Sequence, residues 1–201
     1  MKVSNRFTLA RALFAPLFYV IFNLPVWLNS ASLSFASACV MVPLLVLFEL
    51  TDYWDGHYAR KNNEVSDFGK IFDPFADVIL NLTVFACAVA SGYMPMPLFV
   101  LILYREFTQS FLRMAALKKG IAIAARKGGK VKTVFYIASG FLFLLLETYA
   151  RFSFQSVLPE TDAFIKSTGL VVARVFFVIC VILSWGSFID YIKSFYKVVK
   201  D

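Results

Sequence analysis

Histidine is almost missing from this chain. His57 is the only one in 201 residues, which excludes a histidine-rich metal site. Cysteine is scarce too: Cys39, Cys87 and Cys180 lie inside apolar runs with no pairing pattern and no ligand spacing, and read as packing residues. Charge is thin. Only 16% of residues are charged, against 60% hydrophobic, and the mean hydropathy is +0.72. A soluble domain of this length cannot bury so much apolar surface, so the chain reads as one integral membrane domain over residues 1–201. No internal repeat or low-complexity tract is visible, and no small-residue cleavage site follows the opening residues, so no cleavable signal peptide is expected.

What is abundant is long apolar sequence. A membrane-crossing helix needs roughly 20 mostly apolar residues. Six segments meet that length, at about 7–28, 33–58, 70–91, 97–117, 131–151 and 167–196, with a short polar stretch at 2–6 leading into the first. The fold class expected is therefore all-α with six transmembrane helices. The net charge of +7 does not indicate nucleic acid, because the basic residues gather at the ends of the apolar segments. Most of the 20 fall on one side, with both termini; Arg151 and Lys166 fall on the other, and Arg105 and Arg174 lie within spans. Both termini and the charged motif described next are accordingly expected to face the cytoplasm of an inner (plasma) membrane protein. Trp27, Tyr93, Trp185 and Tyr196 lie near span ends and read as interfacial aromatics.

Acidic residues are densest between Asp52 and Asp77, where the sequence fits the pattern D-x2-D-G-x2-A-R-x8-G-x3-D-x3-D. Asp52, Asp55, Gly56, Ala59, Arg60, Gly69, Asp73 and Asp77 fill it without insertion. Asp52 and Asp55 are three apart and Asp73 and Asp77 four apart, so each pair shares a helix face. Gly56 and Gly69 permit close approach of backbone or substrate. A single Asp at mid-span costs roughly 2.5–3.5 kcal/mol on insertion scales, less near the interface, and several together repel. A hard divalent cation relieves both costs. The alternative is a structural network with Arg60, Lys61 and Lys70. Arg60 either clamps a diphosphate with its planar fork or anchors the chain at the membrane surface.

This spacing resembles the signature of the CDP-alcohol phosphotransferases, membrane enzymes that make phospholipids from cytidine-diphosphate donors. The resemblance implies six transmembrane helices with a short N-terminal juxtamembrane helix, a homodimer, and a two-metal centre of Mg²⁺ or Mn²⁺. By position, Asp52, Asp55, Asp73 and Asp77 would be the metal ligands and Asp77 also the general base. Asp52, Gly56, Ala59, Arg60 and Gly69 would line the site for the CDP donor. Within the family, the chain resembles the bacterial phosphatidylglycerophosphate synthases, which join CDP-diacylglycerol to glycerol 3-phosphate. That likeness rests on Asn5, Thr8 and Arg11 (N-x2-T-x2-R), on Asp73-Pro74-Phe75-Ala76-Asp77, on Arg105-Glu106 followed by Arg113, and on Gly129-Lys130-Val131-Lys132-Thr133. Val78 departs from the lysine usual after D-P-x-A-D.

A phosphorylated acceptor calls for a cationic pocket, for which Arg11, Arg113, Lys130 and Lys132 are the candidates; each also fits a residue facing lipid headgroups. Arg105 and Glu106, inside an apolar span, read either as part of the site or as an internal pair. Two other readings stay open. The same chemistry would serve inositol phosphate, serine or phosphatidylglycerol as acceptor. An ion transporter or channel would instead spread acidic residues through the bilayer depth, whereas here they gather at one edge.

Overall fold

The computed structural model describes the backbone of residues 3–61, 67–118, 127–152 and 159–200, with side chains over 8–51, 72–117, 128–152, 160–193 and 195–196. The described residues form six helices: α1 (Val3–Trp27), α2 (Ala31–Lys61), α3 (Asp67–Ala90), α4 (Met96–Lys118), α5 (Lys127–Phe152) and α6 (Pro159–Lys200). Each contains one of the six apolar segments almost whole. The polar start of the chain from Val3 onward is continuous with α1, so the described residues contain no separate juxtamembrane helix.

Two tight turns fix the order of the first four helices. At the end of α1, Asn29 adopts φ 46°, and Ser30 N–H and Asn29 N–H donate back to Pro25 O and Val26 O at 3.1 and 3.3 Å. After α3, Gly92 adopts φ 78°, and Tyr93 N–H and Gly92 N–H donate to Ala88 O and Val89 O at 2.9 and 3.0 Å. Both are left-handed caps that satisfy the last carbonyls of a helix without any charged residue. Asparagine and glycine are the residues that tolerate this conformation. Ser30 then caps α2, its hydroxyl accepting from Leu33 N–H at 3.4 Å.

The helices close into a ring. α1 packs on α2 and α3, α3 on α4, α4 on α6, α6 on α5, and α5 back on α2, with α3 and α5 also touching across the middle. Phenylalanine fills the interior. Phe22 of α1 meets Phe143 of α5 at 5.6 Å between ring centroids, and Phe85 of α3 meets Tyr136 of α5 and Phe177 of α6 edge-on at 5.1 and 5.3 Å. At the end of the bundle that holds the two tight turns, Arg151 of α5 joins three helices. It donates to Glu147 at 2.8 Å, to the Ser37 hydroxyl of α2 at 2.5 Å and to Phe22 O of α1 at 3.1 Å.

The outer surface is apolar where a soluble protein would be charged. Phe35, Leu47, Tyr104, Phe111, Val171 and Ile182 are all exposed. Among the described residues, five helices are long and apolar enough to cross a membrane, with spans at Thr8–Trp27, Ala31–Thr51, Phe72–Ala90, Gly128–Phe152 and Glu160–Lys193. The chain is a multi-pass membrane protein. α4 differs because it carries Arg105, Glu106, Arg113 and Lys118 in 23 residues. Arg105 and Glu106 are turned inward, 2% and 3% exposed, while Tyr104, Phe107, Phe111 and Met114 face out.

Candidate active site

α3 carries the centre of the site. Asp73 and Asp77 are one helical turn apart, and both are met by side chains from α1. The Thr8 hydroxyl donates to Asp73 Oδ1 at 2.7 Å, and Arg11 Nη1 donates to Asp77 Oδ1 in an ion pair. Thr8 and Arg11 are almost fully buried, whereas the Asp77 side chain stays 37% exposed, so its carboxylate remains reachable. One turn further on, Asn81 donates its amide to Asp77 O at 2.9 Å.

Asp77 borders a cavity of about 370 Å³ enclosed by α3, α4, α5 and α6. Its wall brings together Asn81 from α3, Arg105, Glu106, Gln109 and Arg113 from α4, Lys130 and Lys132 from α5, and Ser187 and Tyr191 from α6. Of the four cations expected at an acceptor phosphate, Arg113, Lys130 and Lys132 thus face one space with Asp77. Arg11 is placed apart: it lines a smaller cavity of about 30 Å³ with Glu49, Asp77, Asn81 and Thr133, room for about one water.

A buried charge cluster forms the floor of the larger cavity. Glu106 Oε1 accepts from Arg105 Nη1 at 2.8 Å, from Lys132 Nζ at 2.7 Å and from the Tyr136 hydroxyl at 3.0 Å. Arg105 also donates to Ser184 O at 3.1 Å and to the Ser187 hydroxyl at 2.6 Å, so the cluster ties α4 to both α5 and α6. An unpaired charge here would cost several kcal/mol. Glu106 and Arg105 therefore form the internal pair that the sequence allowed, and they also line the site. Lys132 reaches the cavity with its ammonium already engaged. Arg174, for which the sequence offered no partner, donates to Gly92 O at 3.4 Å.

The other half of the motif lies on the last third of α2. Asp52, Asp55, Gly56, Ala59 and Arg60 belong to the helical stretch that ends at Lys61, and Gly69 to the first turn of α3. Their side chains lie outside the described residues, as does His57. Among the described residues no group of three metal-ligating side chains occurs. The two described carboxylates do fit a hard divalent cation. They offer only oxygen donors, they share one helix face, and Asp77 is open to the cavity.

Several site residues had weak signals in the sequence. Tyr136 is four residues after Lys132, hence on the same helix face, and Gln109 lies four before Arg113. Thr8 stood in the N-x2-T-x2-R stretch, but nothing local pointed to Asp73, 65 residues away.

Comparison with known proteins agrees with this geometry. Residues 1–185 match the family model for CDP-alcohol phosphatidyltransferases. The chain is 37% identical over 204 residues to a CDP-diacylglycerol–glycerol-3-phosphate 3-phosphatidyltransferase of Treponema pallidum, covering 100% of this chain and 92% of that protein. Proteins of the same name in Bacillus subtilis and Mycoplasma pneumoniae are 34% and 32% identical, over 66% and 78% of this chain and 70% and 66% of theirs. With Asp77 of α3 beside a cationic cavity and the chain matched almost throughout, this protein belongs to the CDP-alcohol phosphatidyltransferase family of enzymes.

Proposed function

We propose that the protein transfers the phosphatidyl group of CDP-diacylglycerol to glycerol 3-phosphate, releasing CMP. The observation that carries this reading is the cavity in which the Asp77 carboxylate faces Arg113, Lys130 and Lys132. A soluble, doubly charged acceptor needs cations at one end and a proton acceptor at the other, and the cavity holds both. Arg113 offers a fork of donors to the acceptor's phosphate and Lys130 a point charge. Lys132, held by Glu106, adds positive potential from the wall. The acceptor's free hydroxyl is then directed toward Asp77, which takes its proton. Its oxygen forms a bond to the β-phosphorus of the donor as the bond from that phosphorus to the bridging oxygen breaks, and CMP departs with that oxygen.

Asp52, Gly56, Ala59, Arg60 and Gly69 are the proposed binding residues for the cytidine and diphosphate. Asp52, Asp55, Asp73 and Asp77 would hold Mg²⁺ or Mn²⁺, which when bound neutralises diphosphate charge and aligns an in-line displacement. In this reading α4 is the sixth span, its charge turned inward and its aromatic face turned to lipid. The distribution of basic residues supports an inner-membrane protein with both termini and the site at the cytoplasmic side. The homodimer is supported by family resemblance.

The test is CMP release by purified, detergent-solubilised protein with CDP-diacylglycerol and Mg²⁺ or Mn²⁺. Glycerol 3-phosphate, inositol phosphate, serine and phosphatidylglycerol would be supplied in parallel. Release with glycerol 3-phosphate alone is the expected result. Release with a different acceptor keeps the chemistry and overturns the acceptor, with Val78 on the cavity wall the first residue to change.

A further inference from the structure

We propose that Thr8 and Arg11 act as a positioning pair for the site, seating Asp73 and Asp77 in fixed rotamers, with Arg11 a permanent countercharge that any bound cation must share. The proposal rests on the reading that these carboxylates hold a divalent cation. The carboxylates stand on α3, the positioning groups on α1, and the two contacts run in the same order along both helices: Thr8 to Asp73, Arg11 to Asp77. Three residues rise about 4.5 Å on a helix and four about 6 Å, so parallel helices present both pairs together with little adjustment. α1 thereby acts as a template for the spacing of the carboxylates.

Burial separates this arrangement from a surface contact. Thr8 is 0% and Arg11 2% exposed, so neither is free to wander. A guanidinium held inside a bundle of apolar helices is stable only against a carboxylate or an equivalent set of acceptors, and Asp77 supplies one. Outer partners of ligand carboxylates orient them and commonly matter tenfold or more to metal affinity. The two residues differ in one decisive way. Thr8 contributes a neutral hydrogen bond, which helps a cation by aiming Asp73. Arg11 contributes orientation together with a positive charge, which opposes a cation electrostatically. Their removal must therefore move cation affinity in opposite directions while lowering turnover in both cases.

The experiment is a Mn²⁺ titration of the purified, detergent-solubilised full chain by electron paramagnetic resonance, which needs no substrate. It is paired with CMP-release kinetics. Thr8→Val is expected to weaken Mn²⁺ binding about 10-fold. Arg11→Gln is expected to tighten it several-fold, and Arg11→Lys, which keeps the charge, to bind close to wild type. Turnover should fall about 10- to 100-fold in Thr8→Val and Arg11→Gln, because a carboxylate misplaced by about 1 Å loses that much. The KM for glycerol 3-phosphate should stay unchanged in both.

Unchanged or weaker Mn²⁺ binding in Arg11→Gln overturns the countercharge. A raised acceptor KM with Mn²⁺ binding unchanged would make Arg11 an acceptor ligand instead. Should Arg11→Gln fail to fold, Thr8→Val still decides: wild-type Mn²⁺ affinity and turnover in that variant overturn the positioning role. Wild-type protein that binds no Mn²⁺ overturns the cation site and this proposal together. Wild-type protein that binds Mn²⁺ but releases no CMP overturns the proposed reaction and leaves the positioning pair standing on the titration alone.

Discussion

Lys132 donates to Glu106 at 2.7 Å from α5 to α4, and the acceptor is the same oxygen that takes the Tyr136 hydroxyl and Arg105. One carboxylate thus balances two cations on the wall of the cavity. Glu106→Ala leaves both cations buried and unpaired and is expected to cost about 3–5 kcal/mol. Lys132→Met leaves Glu106 with Arg105 and Tyr136 and should cost less, about 1–3 kcal/mol. Thermal unfolding in detergent measures the order; equal losses would mean that the carboxylate is not the hub.

Among the described residues, Asp77 is the one acidic side chain that lines both cavities. Asp77→Asn keeps its shape and removes its ability to take a proton. CMP release should fall about 10²- to 10⁴-fold while the protein remains folded and membrane-inserted. Full turnover in this variant would remove Asp77 from the chemistry.

Arg113 and Lys130 face the cavity from α4 and α5. Losing a charge-assisted contact to phosphate costs about 1.5–3 kcal/mol, roughly 10-fold or more in affinity. Arg113→Gln and Lys130→Gln should therefore raise the KM for glycerol 3-phosphate by about that factor, with the KM for CDP-diacylglycerol unaffected. A matching rise in both constants would place these residues at the donor instead.

Phe85 joins α3 to α5 and α6 through edge-on contacts and is fully buried. Phe85→Ala opens a cavity that neighbouring helices only partly close, and should lower stability by about 3–5 kcal/mol. Thermal unfolding in detergent measures the loss; an unchanged melting temperature would mean that the ring contacts to Tyr136 and Phe177 carry no stability.

The helices were legible because a membrane span is written locally, as length and apolarity. All six segments sit almost whole inside observed helices, and two helix ends are closed by left-handed caps at Asn29 and Gly92. The motif was legible for a different reason: spacing along a helix determines which carboxylates share a face, as with Asp73 and Asp77. What stayed hidden was long-range. Arg11 is an ordinary basic residue near the start of a span until α1 lies against α3, and it was expected at the acceptor phosphate rather than on Asp77. Glu106 and Lys132, 26 residues apart, become partners only when α4 and α5 stand side by side. Positive residues near span ends look alike in sequence, since orientation in the membrane and recognition of phosphate both favour them.

The inward charge of α4 has a consequence for how the protein is made. Arg105 and Glu106 satisfy one another in part as soon as α4 forms, but Lys132, Tyr136, Ser184 and Ser187 arrive only with the two helices still to be synthesised. During translation α4 is the segment least suited to lipid, and its settled position depends on sequence that follows it. The same residues that line the larger cavity thus tie the settled position of α4 to the two helices that follow it.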